Sequence, residues 1–78
     1  MPASTLARFQ RITPQQLRAF EASARLLSVT QAARELFVSQ PTVSVQLKEL
    51  AETLGESLFE QSGRQIRLTQ AGELLYQT

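Results

Sequence analysis

The sequence predicts a mainly α-helical fold with one small β-hairpin, and three observations predict it. Three segments each open on a Ser or Thr cap and continue with apolar residues at helical spacing. After Gly55 the pattern changes to two short extended runs around a Gly-containing turn. A further Thr cap then starts a closing helix. With 78 residues in all, one small domain is the ceiling.

Taken in order, Ile12-Thr13-Pro14-Gln15-Gln16-Leu17 specifies the first helix start. Thr13 is the N-cap, Pro14 occupies the first helical position and Gln16 closes a capping box, with Ile12 and Leu17 at the flanking staple positions. Leu17, Phe20, Ala24 and Leu27 then recur as an inward stripe, leaving Arg18, Glu21 and Arg25 on other faces. Residues 1–11 lack caps and a sustained period, which predicts a flexible lead.

Ser28, with Gln31 three residues on, starts a second helix whose inward residues are Ala32, Ala33 and Leu36, small enough for another helix to approach closely. It ends near Phe37. Val38-Ser39-Gln40-Pro41 restarts the chain: Ser39 caps, and Pro41 falls in the first turn, where its missing N–H is harmless. Val43, Leu47, Leu50 and Leu54 form the core stripe of the third helix, which stops at Gly55. Two capped helices joined by about three residues predict a helix-turn-helix over residues 28–47.

Leu58-Phe59-Glu60-Gln61 and Gln65-Ile66-Arg67-Leu68, separated by Ser62-Gly63-Arg64, predict a hairpin within residues 58–68. Thr69 caps a fourth helix from Gln70, with Ala71, Leu74 and Leu75 as its apolar residues, still running at Thr78 and so expected to continue. Three helices, a hairpin and a fourth helix are the winged helix-turn-helix layout, here a domain over residues 12–69 followed by the start of a linker helix over residues 70–78.

Composition excludes most enzyme chemistry. Cys, His, Trp, Asn and Asp are all absent, which removes disulfides, Cys/His metal sites, imidazole bases and thiolate nucleophiles. Ser44 and Lys48 have nucleophile-and-base spacing, yet lack a third group and an oxyanion site, so neither catalysis nor a cofactor nor a metal is expected. The longest apolar runs are three residues, Leu36-Phe37-Val38 and Leu74-Leu75-Tyr76. A membrane helix needs about 20. Met1-Pro2-Ala3-Ser4 opens no signal peptide, and a cytoplasmic protein without a membrane partner is expected.

The net charge is only +1, but its distribution is uneven. Arg8, Arg11, Arg18 and Arg25 face a single Glu21 in residues 1–27, whereas residues 49–61 carry Glu49, Glu52, Glu56 and Glu60. An acidic block on a back face would leave a basic front.

On the third helix, stepping 100° per residue centres the core stripe near Leu47 and Leu54 and places Pro41, Val45, Lys48 and Glu52 opposite, with Thr42 and Ser44 flanking. A surface valine is ordinary, but in a major groove the Val45 methyls would pack on a thymine methyl while Gln40 or Thr42 bonded base edges. Ser39 is first a cap; the N–H groups at that helix start would also hold a phosphate. Arg64, beside the permissive Gly63, suits a wing entering the minor groove, and Lys48, the only lysine, suits a phosphate contact. The rival reading is a winged-helix interaction module that docks a partner protein through the third helix. Leu74, Leu75 and Tyr76 bring more apolar surface than so small a domain readily buries, which marks Leu74 and Leu75 for dimerisation.

From Leu17 to Gly72, Gln31-Ala32-Ala33, Val38-Ser39-Gln40-Pro41, Val43-Ser44, Leu58-Phe59-Glu60 and Leu68-Thr69-Gln70-Ala71-Gly72 resemble the N-terminal DNA-binding domain of LysR-type bacterial transcriptional regulators. The resemblance implies that double-stranded promoter DNA with a pseudo-palindromic site is read by Thr30 and Gln31 and by Ser39, Gln40, Pro41, Thr42, Ser44, Val45 and Lys48 along the recognition helix, with Arg64 from the wing. It also implies a longer parent that pairs through the linker helix as a homodimer and takes its small-molecule effector in a C-terminal domain absent from this chain. Val45 and Gln61 stand where the family often has polar or basic residues, which lowers the number of charged contacts. Together with Gln16-Leu17-Arg18-Ala19-Phe20-Glu21, these positions look similar to the branch that regulates carbon-fixation (RuBisCO, Calvin-cycle) operons.

Overall fold

The computed structural model describes residues 11–78, so the flexible lead expected over residues 1–11 lies, except for Arg11, outside the described residues. The order is α1 (Pro14–Leu26), α2 (Val29–Leu36), α3 (Gln40–Leu54), β1 (Phe59–Ser62), β2 (Gln65–Leu68) and α4 (Gln70–Gln77). This is the winged helix-turn-helix that the caps and spacings predict.

The caps form as expected. Thr13 Oγ1 accepts from Gln16 N at 3.1 Å while Gln16 Oε1 accepts from Thr13 N at 3.2 Å, which completes the capping box of α1. Ser28, Ser39 and Thr69 each accept the N–H three residues on, from Gln31, Thr42 and Gly72. Gly55 ends α3 in the left-handed region at φ 72°.

Two joined clusters make the core. In the first, Ala19 and Ala22 of α1 meet Ala32 and Ala33 of α2 and Val43 of α3. Alanine against alanine lets α1 and α2 approach closely, whereas leucines there would hold them apart. The inward stripe of α1 therefore runs through Gln16, Ala19, Phe20 and Ser23, not through Leu17 and Leu27. Leu17 is 43% exposed; Leu27 is 41% exposed and leaves the helix at a left-handed φ of 50°. Gln16, buried at this stripe, donates from Nε2 to Glu49 Oε1 of α3 at 3.4 Å.

In the second cluster, Phe20 and Ala24 of α1 pack with Leu50 of α3 and with Leu58, which precedes the hairpin. The stripe of α3 is accordingly centred on Val43 and Leu50, a rotation from the expected centre at Leu47 and Leu54. Leu47 and Leu54 are half-buried, and Leu47 touches both clusters. The shift arises because α3 lies against α1 and α2 on one flank and against Leu58 on the other, a three-way contact that periodicity within one helix does not encode.

The strands pair antiparallel with Phe59 opposite Leu68 and Ser62 opposite Gln65, around a turn where Gly63 takes φ 62°. The Phe59 ring lies 5.5 Å from that of Phe20. Thr69 N donates to Leu58 O at 3.0 Å and its hydroxyl donates to Ser57 O, which ties the wing to the start of α4. Leu75 packs on the second cluster and Tyr76 sets its ring edge-on to Phe20 at 6.4 Å. The domain thus covers one of the three apolar residues expected to be surplus, Leu75, whereas Tyr76 stays 43% exposed and Leu74 62% exposed. Among the described residues no helix is long and apolar enough to cross a membrane.

Candidate nucleic-acid interface

The outward side of the molecule centres on the turn between α2 and α3. Phe37 ends α2 in the left-handed region at φ 58°, and Val38 N donates back to Ala33 O at 3.1 Å. Phe37 adopts a conformation that favours glycine and leaves its ring 94% exposed. The turn aims α3 so that the N-terminal half has a buried side, at Val43, and an outer side, at Gln40, Pro41, Ser44 and Val45, with no core duty.

Every residue expected at the site is exposed: Thr30, Gln31, Ser39, Gln40, Pro41, Thr42, Ser44, Val45, Lys48 and Arg64. Val45 is 52% exposed although Val43, two residues earlier, is only 1% exposed. The outer face of α3 is therefore a separate surface, not a fringe of the core. Ser44 and Lys48 line a shallow groove with Phe59 and Ile66 of the wing, which brings α3 and the hairpin side by side. Arg64 stands in the hairpin turn, and Gln61 Nε2 donates to Gly63 O at 3.1 Å, bracing that turn.

Hydrogen bonds at the start of α3 are largely committed. Ser39 Oγ accepts from Thr42 N at 3.2 Å and lies 2.8 Å from Thr42 Oγ1. Pro41 has no N–H and the cap takes that of Thr42, so this helix start has fewer free donors for a phosphate than its sequence suggests. Thr30 Oγ1 of α2 donates to Gln40 Oε1 at 3.1 Å. Sequence reasoning placed both residues at the site but missed this bond, because α2 and α3 meet there only in three dimensions.

Charges sort into engaged and free. Arg25 bridges Glu21, at 2.9 Å, and Glu35, joining α1 to α2. The Arg25 hydrogen bond holds the Glu21 carboxyl below the usual carboxylate range, and the two carboxylates raise the Arg25 guanidinium. The i,i+4 spacing of Glu21 and Arg25 was the sequence signal for half of this cluster. Arg67 pairs with Glu60 across the hairpin at 3.3 Å. Arg11, Arg18, Arg34, Lys48 and Arg64 have no carboxylate partner among the described residues. The acidic block is not confined to a back face: Glu49 is tied to Gln16 of α1, Glu60 is paired on the wing, and Glu52 is exposed one turn beyond Lys48 on α3.

This arrangement has known counterparts. Residues 14–73 match the family described as bacterial regulatory helix-turn-helix proteins, lysR family. The chain is 49% identical over 65 residues to the RuBisCO operon transcriptional regulator of Allochromatium vinosum, covering 83% of this chain and 22% of that protein. It is 58% identical over 59 residues to the HTH-type transcriptional activator AmpR of Pseudomonas aeruginosa, covering 76% of this chain and 20% of that one. It thus spans about a fifth of the length of these relatives. The crystal structure of the BenM DNA-binding domain with catB site 1 DNA superposes with a TM-score of 0.76 at 39% identity, over 80% of this chain and 70% of that one. With 60 contiguous residues matched, from the capping box of α1 to the first turn of α4, the chain belongs to the LysR family of bacterial regulatory helix-turn-helix proteins.

Proposed function

We propose that this chain is the sequence-specific, double-stranded-DNA-binding domain of a bacterial transcriptional regulator, with α3 in the major groove and the wing near the minor groove. The observation that carries this reading is the outer face of α3, where Gln40, Thr42, Ser44, Val45 and Lys48 are all exposed on a helix whose other side is core. A helix about 10–12 Å across fits the roughly 12 Å major groove. The related BenM domain solved with DNA supports it.

Gln40 and Thr42 bond base edges in this reading, Val45 packs on a thymine methyl, and Ser39, Pro41, Ser44, Thr30 and Gln31 border the same surface. Lys48 and Arg64 neutralise phosphates. The domain does no catalysis and works at the chromosome, in the cytoplasm. The residues 12–69 form the binding unit and 70–78 lead into a linker helix through which two copies pair on a pseudo-palindromic promoter site. Relatives named as RuBisCO operon regulators support carbon-fixation operons as the target.

Mobility shift and footprinting on carbon-fixation promoter fragments across a salt series test the proposal. Specific binding should fall steeply with salt as phosphate contacts release counterions. Val45→Asp should cost several-fold or more in specific affinity, because a carboxylate is repelled by the phosphates and can accept only from the amino groups of cytosine N4 or adenine N6. Salt-independent capture of a protein partner through α3, with no protected DNA site, would replace this reading by the protein-docking one.

A further inference from the structure

Thr30 and Gln40 stand in the first turns of α2 and α3, both exposed, and the Thr30 hydroxyl donates to Gln40 Oε1 at 3.1 Å. Among the described residues it is the only side-chain hydrogen bond between these two helices. The sense of the bond is favourable, since both helix N-termini carry partial positive charge and attract the carbonyl end of the amide.

A glutamine has one acceptor and one donor group at its tip, and pairing with adenine uses both, accepting from N6 and donating to N7. Here one lone pair of Oε1 already accepts from Thr30 and turns that atom toward α2, so Nε2, without a partner among the described residues, is the group Gln40 offers most freely to a base. The neighbouring hydroxyls of Ser39 and Thr42 lie 2.8 Å apart and are engaged with each other. Gln40 is thus the residue at this helix start whose hydrogen-bonding sense is set from another helix.

We infer that Thr30 is a positioning residue that sets the base preference of Gln40: by holding Oε1 toward α2 it presents Nε2 to the base, and so favours an edge of acceptors alone, guanine N7 and O6 or thymine O4, over adenine, whose N7 stands beside the N6 donor. The inference rests on the DNA-binding reading and deepens it. It assigns Thr30 a role through Gln40 in place of a direct contact with DNA.

Binding selection of the 78-residue chain on a randomised operator gives the test. The base pair facing Gln40 is the one whose preference disappears in Gln40→Ala. At that position the wild type should favour G or T over A. Thr30→Val removes the hydroxyl at constant shape and should raise relative binding to A there by about two- to tenfold, the worth of one hydrogen bond. Thr30→Ser should keep the wild-type preference, Thr30→Val should change nothing in the Gln40→Ala background, and the salt slope should stay unchanged throughout. A Thr30→Val variant that weakens every sequence equally, with the same base preference, would show Thr30 touching the backbone and overturn the inference, as would a wild-type preference for A. A wild-type chain that binds all sequences alike would instead remove the DNA reading itself, and this inference with it.

Discussion

Ser23 is fully buried on α1 and its hydroxyl has no hydrogen-bond partner. Such a group loses its water without compensation, and alanine is the better helix former. Ser23→Ala should therefore stabilise the domain by about 1 kcal/mol, read as a higher urea midpoint at an unchanged slope. Gly72 is the opposite case. On propensity alone, alanine in α4 would gain up to about 1 kcal/mol. A Cβ there, however, would lie 2.2 Å from Leu58 O and 2.9 Å from Leu68 Cδ2. Backbone cannot step aside as a flexible side chain can, so Gly72→Ala should destabilise by about 1–3 kcal/mol, the cost of overpacking, in the same urea titration. The glycine is required by the close seating of α4 on the wing root.

At the scale of elements, α3 and the hairpin divide the work that the proposed function needs. The outer face of α3 mixes neutral donors with the apolar Val45, whereas Lys48 and Arg64 are unpaired cations among the described residues. A cation that meets only the phosphates positions the domain and carries little base information. Lys48→Ala and Arg64→Ala should each weaken binding to all sequences alike and flatten the log–log salt dependence by about one unit, in fluorescence anisotropy titrations across salt. If Arg64→Ala changes base preference and leaves the slope alone, the wing reads sequence. Arg25 and Arg67 are held by carboxylates, so their removal should leave the slope nearly unaltered.

For the whole molecule, the proposed pairing of two copies depends on what α4 offers outward. Leu75 is turned onto the domain's own core, while Tyr76 sets one edge on Phe20 and stays 43% exposed, so Leu74, 62% exposed, is the most open apolar residue of α4. One leucine and a half-open tyrosine on an eight-residue helix make a small contact. The 78-residue chain should sediment mainly as a monomer at micromolar concentration, while two copies should bind one operator with recognition helices about 34 Å apart, or a multiple of it. DNA carrying both half-sites supplies the effective concentration that the weak contact lacks. Leu74→Lys should reduce cooperativity on the full operator and leave single half-site affinity unchanged. A tight dimer in solution that survives Leu74→Lys would locate the interface elsewhere.

The sequence by itself determined the helix starts, the presence of the hairpin and the family, while the first strand runs one residue later than expected, over Phe59–Ser62. Caps, prolines and glycines act within three or four residues, so Thr13, Ser28, Ser39, Gly55, Gly63 and Thr69 declare their roles locally. The exposed face of α3 was legible as well, because polar and apolar residues alternate at helical period. Tertiary structure alone decided which apolar residues are core. Leu17 and Leu27 match the period of α1 yet lie outside, since the alanine contacts with α2 choose the buried side by distance of approach and not by hydrophobicity. It also decided that Leu75 faces inward and that Thr30 holds Gln40. Those contacts join residues separated along the chain, and the geometry that brings them within reach exists only once the helices have packed.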